Sequence, residues 1–121
     1  MNNLALRSAE LLRLDLRLRL PFRYGIVTLT EVPQITARIG FEIGGRAVTG
    51  LAADILAPKW FTKDPARAIP DEIEEMLAVI RAAVRHAAAV RAPTMFAFWR
   101  ELHAAQAAWA AAEKQIGRAH V

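Results

Sequence analysis

Residues 12–20 read LRLDLRLRL, in which leucine alternates strictly with a charged residue. A β-strand points successive side chains to opposite faces, so this stretch would place its leucines on one face and its charges on the other. A helix would instead spread the same leucines around its whole circumference. The pattern therefore predicts a half-buried strand that begins near Ala9. Pro21, which has no backbone N–H to donate, is predicted to end it.

A second alternation follows Pro33, where residues 34–43 read QITARIGFEI. It predicts another half-buried strand, and Gly44-Gly45 directly after it is a signal for a tight hairpin. Residues 46–53 would then return as a third strand. The segment from Phe22 to Val32 is interpreted as the connection between the first two strands, with a sharp turn permitted at Gly25. The three strands together predict an antiparallel meander.

The period changes to helical spacing from Asp71 onward, after a loop over residues 57–70. Pro70 suits a first helical turn, and acidic residues after it suit the positive end of the helix dipole, so a helix is predicted over residues 70–90. Thr94 is a predicted N-cap for a second helix running to about Lys114. Its predicted apolar face consists of Met95, Phe98, Trp99, Leu102, Ala105 and Trp109. Strands followed by helices give an α+β fold, a three-stranded antiparallel β-meander with two long helices on one face.

Composition limits the functional classes. The 121 residues suit one domain, and a hydrophobic content of 55% argues against disorder. The absence of cysteine excludes disulfides and thiolate metal sites and suggests a reducing cytoplasm. No stretch is long and apolar enough to cross a membrane. The net charge is +4, but the arginines are scattered along the chain, so no nucleic acid partner is expected.

The sequence carries no motif of nucleophilic catalysis, phosphate binding or dinucleotide binding. His86 and His103 lie on separate predicted helices without metal-ligand spacing, and they are interpreted as solvent-facing. The acidic run of Glu72, Glu74 and Glu75 is interpreted as surface charge that complements the helix dipole. No metal site and no catalytic residue are therefore predicted within this chain.

Two predicted loops combine aromatic and basic residues. Residues 20–25 read LPFRYG, and residues 57–63 read APKWFTK. An aromatic surface with fixed cations can bind an organic anion, stacking on its body and pairing with its carboxylate. The alternative is that the aromatic side chains fill gaps beneath the loops. The residues alone leave both interpretations open.

The last residues, 116–121, read IGRAHV, which is what ATC GGA AGA GCA CAC GTC encodes. This nucleotide string matches the start of a common short-read sequencing adapter. We interpret residues 116–121 as translated adapter rather than native protein, and residues 1–115 as one domain truncated at its C-terminal end. Gly117 as a helix C-cap is the alternative.

The order of these elements resembles the N-terminal capping domain of the enolase superfamily, in its mandelate racemase and muconate lactonizing enzyme branch. The resemblance covers roughly residues 11–109. It rests on LPFRYG at 20–25, TLTEVP at 28–33, Gly44-Gly45, GLAAD at 50–54 and PKWF at 58–61, followed by a long helix.

The resemblance implies that this domain lacks its catalytic (β/α)₈ barrel and is inactive alone. The parent would be a Mg²⁺-dependent racemase, dehydratase or cycloisomerase that abstracts a proton α to the carboxylate of a small-molecule substrate. The barrel would bind Mg²⁺ and supply the base. The loops at residues 21–32 and 52–63 would cover the substrate. The residues that map near substrate are Phe22, Arg23, Tyr24, Ile26, Lys59 and Trp60.

The resemblance also implies an apolar surface where the helices meet the barrel, with Phe98, Trp99 or Trp109 facing solvent here, and a homo-oligomer when the protein is intact. Two other hypotheses stay open. One is a small basic binding module for an anionic ligand or nucleic acid, which would use the arginine face of the sheet and the Lys59-Trp60 loop. The other is an obligate homo-oligomer that hides its apolar helix face.

Overall fold

The computed structural model describes residues 3–61 and 63–115, which form one antiparallel sheet and two helices. The sheet order is β3-β2-β1-β4. The elements in chain order are β1 (Leu4–Tyr24), β2 (Val27–Ile43), β3 (Arg46–Ile55), α1 (Ile69–Ala87), β4 (Arg91–Ala92) and α2 (Met95–Gln115). The predicted α+β class is confirmed.

The sheet has four strands in the described residues, so the prediction of three strands is wrong. The fourth strand, β4, consists of two residues, and it pairs Ala92 with Leu4 and Arg91 with Ala5. β1 accordingly begins at Leu4, earlier than the predicted start near Ala9. Leu4 and Ala5 are buried there. A two-residue strand is too short to show any periodicity, which is why the sequence pattern did not reveal it.

The connection predicted from Phe22 to Val32 is mostly strand. β1 continues to Tyr24 and β2 begins at Val27, so the turn is confined to Gly25 and Ile26. Gly25 has a φ of 51°, which confirms the turn predicted there. The β1–β2 register shifts between Arg17 and Phe22. This irregularity lets the strand pass through Pro21, whose missing N–H cannot join a regular ladder.

The second hairpin turns at Gly44-Gly45, as predicted. Both glycines have positive φ, 56° and 82°, which corresponds to the type I′ turn that suits two-residue hairpins. β3 then pairs with β2 from Arg46 to Ile55, two residues beyond the predicted end. Because β3 stands first in the sheet order, it forms one edge of the sheet.

The two apolar stripes of β1 and β2 lie on opposite faces of the sheet. Leu12 pairs with Thr36 and Leu14 with Gln34, so this half of the leucine stripe shares a face with polar residues of β2. The helices cover the other face, where Ile35 is buried. Leu12 and Leu14 are consequently 43% and 57% exposed, despite their alternating pattern. Farther along, Leu16 pairs with Val32, and Leu16 and Leu18 pack against a separate buried cluster.

α1 spans Ile69–Ala87, close to the predicted residues 70–90. Pro70 lies in its first turn, where a proline costs no helical hydrogen bond. Leu77 is buried against Ile35 of β2 and Leu56, which follows β3. This contact fixes α1 over the centre of the sheet. The helix ends before Val90, whose N–H donates to the carbonyl of Ala87 in a turn.

α2 begins as predicted, because the Thr94 Oγ1 accepts a hydrogen bond of 3.1 Å from the Ala97 N–H. Phe98 is buried, and its ring meets that of Phe41 edge-on at 5.4 Å. Of the three aromatic residues Phe98, Trp99 and Trp109, of which at least one was expected to face solvent, Phe98 does not. Trp99 is exposed, as predicted.

His86 was interpreted as solvent-facing, but it is half-buried between the helices. Its Nδ1 lies 2.6 Å from Oε1 of Gln106, whose Nε2 donates to the carbonyl of Val79. These polar contacts link α1 and α2. In the described part of the chain, neither helix has the length and apolar character needed to span a bilayer. The adapter interpretation concerns residues 116–121, which lie outside the described residues.

Candidate functional site

The hairpin between β1 and β2 and the segment after β3 meet at one end of the sheet. The Tyr24 hydroxyl donates a 2.6 Å hydrogen bond to the carbonyl of Pro58. The Tyr24 ring lies 5.7 Å from the Trp60 ring and 5.7 Å from the Phe22 ring, measured between centroids. Three of the six predicted substrate-facing residues, Phe22, Tyr24 and Trp60, therefore form one aromatic cluster.

The aromatic cluster presents apolar surface to solvent. Phe22 and Trp60 are 58% and 59% exposed, whereas Tyr24 is half-buried between them. Arg23 and Ile26, also predicted near substrate, are exposed on the same hairpin tip. Tyr24 thus packs beneath the cluster, and Phe22 and Trp60 form its solvent-exposed surface. Of the two interpretations left open by the sequence, gap filling applies only to Tyr24.

Lys59 differs from the other predicted residues, because it is buried. Its Nζ forms an ion pair with Glu72 and donates to the carbonyls of Asp64, at 2.7 Å, and Arg67, at 2.5 Å. With these partners around it, the ammonium is directed into the protein rather than toward solvent. We therefore assign Lys59 to holding the loop and not to contacting a ligand.

The backbone of Lys59 is also constrained. Its φ is 62°, in the left-handed region that costs a residue with a side chain about 1–3 kcal/mol. The Lys59 N–H donates a 3.0 Å hydrogen bond to Oε1 of Glu72, which fixes this conformation. Pro58 beside it is fully buried. The polar contacts of Glu72 thus hold Lys59 in place. Lys59 lies between Pro58, whose carbonyl accepts the hydrogen bond from Tyr24, and Trp60.

Glu72 is the residue that sequence reasoning missed. It was interpreted as surface charge for the helix dipole, but its side chain is buried beneath the loop and bound to Lys59. A neighbouring acid pairs similarly, since Glu75 forms an ion pair with Arg67. The sequence offered several acids in the first turns of α1, and nothing in their spacing distinguishes the buried one. Only the position of Lys59 in the fold selects it.

The buried side of the aromatic cluster changes the acidity of Tyr24. Burial raises the pKa of the Tyr24 hydroxyl above 10.0, and the negative charge of Glu72 raises it further. Tyr24 consequently stays protonated at neutral pH. It can therefore donate its hydrogen bond to Pro58 across the physiological pH range.

Four arginines of the sheet pair with acidic side chains. Oppositely charged atoms lie between 2.8 and 3.4 Å apart in the pairs Arg7–Glu42, Arg13–Asp15, Arg17–Glu31 and Arg38–Glu10. The hydrogen bond and the charge of Arg7 lower the pKa of Glu42. These four ion pairs offset part of the positive charge of the sheet.

Two shallow depressions of about 350 and 410 Å³ lie along the α1–α2 groove, away from the aromatic cluster. Alanines contribute to both linings, so their shape reflects small side chains between the helices. Polar groups there, such as Gln106, already bond within the protein. We therefore treat the aromatic cluster, not the groove, as the candidate site.

Among residues 3–61 and 63–115, no group of three or more His, Asp or Glu side chains could hold a metal ion. The predicted Mg²⁺ site stays a prediction about a barrel outside this chain. The sequence matches no family model, no curated protein and no solved structure.

Proposed function

We propose that this chain is the N-terminal capping domain of an enolase-superfamily enzyme, and that it supplies the loops that cover a carboxylate substrate. The observation that carries this proposal is the meeting of two separate chain segments in the aromatic cluster. The hydroxyl of Tyr24 is bonded to Pro58 across 34 residues of sequence. A covering surface needs this arrangement, because loops that close a site must present a fixed shape to what they cover.

The combination of exposed apolar side chains and an exposed cation on the two loops supports the proposal. Phe22, Ile26 and Trp60 offer exposed apolar side chains, and Arg23 adds an exposed cation at the hairpin tip. In a closed site the apolar side chains exclude water from the reacting carbon, and the guanidinium can pair with a substrate carboxylate. The Lys59–Glu72 pair lies beneath them, so its role is to position Trp60.

The exposed side of α2 also supports the proposal. Phe96 and Trp99 are 66% and 54% exposed, and their rings are 5.9 Å apart. His103 continues the same side of the helix, with its ring 5.1 Å from that of Trp99. Exposed aromatic residues in a row are expected where a further part of the protein packs. A barrel following α2 is the occupant that the proposed function requires.

In the parent enzyme, Mg²⁺ would stabilise the negative charge that develops when the proton α to the carboxylate is removed. The base and the metal-binding carboxylates would come from the barrel. This chain would contribute binding, orientation and exclusion of water, and its Tyr24 would remain a neutral hydrogen-bond donor that keeps the cover in shape. The chain alone would be inactive.

The alternative, a binding module for nucleic acid or another anion, has less support. It would use the arginine face of the sheet, but Arg13 and Arg17 on that face are paired with carboxylates. Lys59, the cation expected in its contact loop, is buried. Titration with oligonucleotides at increasing salt separates the two functions, because nucleic acid binding would weaken steeply with salt.

The natural coding sequence beyond Lys114 tests the proposed function. We expect it to continue into β/α units whose strands carry acidic metal ligands and a Lys or His base. The purified full-length protein should then exchange the α-proton of a carboxylate substrate with deuterated solvent in a Mg²⁺-dependent manner. A natural reading frame that stops near Gln115, or that encodes no such barrel, would contradict the proposal.

A further inference from the structure

β3 is an edge strand with an uninterrupted open side. All ten of its residues are exposed, and its ladder with β2 runs without a register shift from Arg46 to Ile55. Its sequence, RAVTGLAADI, contains no proline and no lysine. Edge strands normally carry proline, charged side chains or a bulge to prevent pairing with other chains, and the two charges of β3, Arg46 and Asp54, lie near its ends. The stretch between these charges has no such protection, so it is suited to pair with another strand.

The hairpin geometry identifies the backbone groups that point outward. In a two-residue hairpin the residues that flank the turn, here Ile43 and Arg46, form the hydrogen-bonded pair. Every second residue after Arg46 also bonds to β2. The N–H and C=O groups of the intervening residues therefore face the open side of the sheet, and these residues are Ala47, Thr49, Leu51, Ala53 and Ile55.

The strand is complementary to itself about Gly50. Arg46 and Asp54 lie equally far from Gly50, on either side of it. If two β3 strands pair antiparallel with Gly50 opposite Gly50, each Arg46 lies opposite the Asp54 of the second copy. These would be non-hydrogen-bonded pairs, in which the Cα atoms approach to about 4.5 Å and the side chains interact most closely.

The same register satisfies the backbone. Thr49 falls opposite Leu51 and Ala47 opposite Ala53, and all four residues have outward-facing N–H and C=O groups. Asp54 Oδ1 accepts the N–H of Ile55 in its own chain at 2.8 Å, which leaves Oδ2 to face Arg46 of the second copy. Charge pairing and hydrogen bonding thus select one register.

We propose that β3 binds the β3 strand of a second copy of this chain, joining two four-stranded sheets through a twofold axis at Gly50. The inference does not depend on the proposed function. It specifies the sheet edge, and not the exposed side of α2, as the contact between copies.

Charge reversal tests this interface by sedimentation velocity over a range of concentrations. We expect a dimer at tens of micromolar or below. Arg46→Asp places two acids opposite each other, Asp54→Arg places two arginines opposite each other, and each should weaken dimerisation about tenfold or more. The double variant Arg46→Asp/Asp54→Arg exchanges the charges and should restore dimerisation to within about threefold of the original.

Arg100→Asp on α2 is the matched control, since it makes the same charge change at an exposed position away from β3. It should leave the dimer unchanged. Amide hydrogen exchange gives a second readout, because the N–H groups of Thr49 and Leu51 should exchange more slowly as the protein concentration rises. A monomer at all concentrations, or a dimer that the single reversals leave intact, would overturn the proposal.

Discussion

The aromatic cluster and the exposed side of α2 are both apolar surfaces, but they are held in different ways. Tyr24 in the cluster bonds to Pro58 in a distant segment, and Trp60 follows a residue fixed by Glu72. Among the described residues, the rings of Phe96, Trp99 and His103 stack along a single helix. The first surface has a shape determined by the tertiary fold. The side chains of the second surface are positioned by their own helix, so they can adjust to a part of the protein that packs on them.

The largest expected effect comes from removing the acid beneath the aromatic cluster. Glu72→Gln leaves Lys59 buried without an opposite charge, and breaking a buried pair in this way costs about 3–5 kcal/mol. Urea denaturation should show this loss. Glu74→Gln is the matched control, because Glu74 is exposed on the same turn and its loss should cost under about 0.5 kcal/mol. Equal effects of the two variants would contradict the structural role of Glu72.

Adjacent aromatic residues on α2 provide the next comparison. Phe98→Ala removes a buried ring from its contact with Phe41 and should cost about 3–5 kcal/mol. Trp99→Ala removes a larger but exposed ring and should change the free energy of unfolding by about 0.5 kcal/mol or less. Thermal or urea unfolding measures both. A large loss of unfolding free energy in Trp99→Ala would mean that the exposed side of α2 is already packed against another part of the protein.

A smaller effect is expected at the hydroxyl of Tyr24. Tyr24→Phe removes the bond to Pro58 but keeps the ring, so it should cost about 1 kcal/mol near neutral pH. Because the folded state raises the pKa of Tyr24 above 10.0, its contribution is fully present below pH 10.0 and is lost as the pH rises through the folded-state pKa. The stability difference between the two proteins should therefore shrink in alkali. A constant difference would contradict the raised pKa.

The sequence predicted those parts of the fold that depend on local patterns. The strand over residues 12–20, the Gly44-Gly45 turn and the Thr94 cap are set by residues close in sequence, and the structure confirms them. The strand end predicted at Pro21 is wrong, because β1 continues to Tyr24. The register was not predictable in the same way. It is the pairing of β1 with β2 that places Leu12 and Leu14 on the face opposite the helices.

The candidate site was predictable to a similar extent. The two aromatic loops could be identified from composition, but not the contact between Tyr24 and Pro58 that joins them. Lys59 and Trp60 are adjacent and equally prominent in the sequence. Their opposite exposure follows from the positive φ of Lys59 and from Glu72 beneath it, both of which are tertiary features.

The most direct test of the covering role is the effect of Trp60→Ala on kcat/KM in the full-length protein. We expect a fall of about tenfold or more, since a truncated cover admits water and loses contact with substrate. Leu14→Ala is the matched control, because Leu14 is similarly exposed but lies on the sheet face. The control should retain its activity, and both variants should retain their affinity for Mg²⁺. An unchanged kcat/KM in Trp60→Ala would contradict the proposal that this domain covers the substrate.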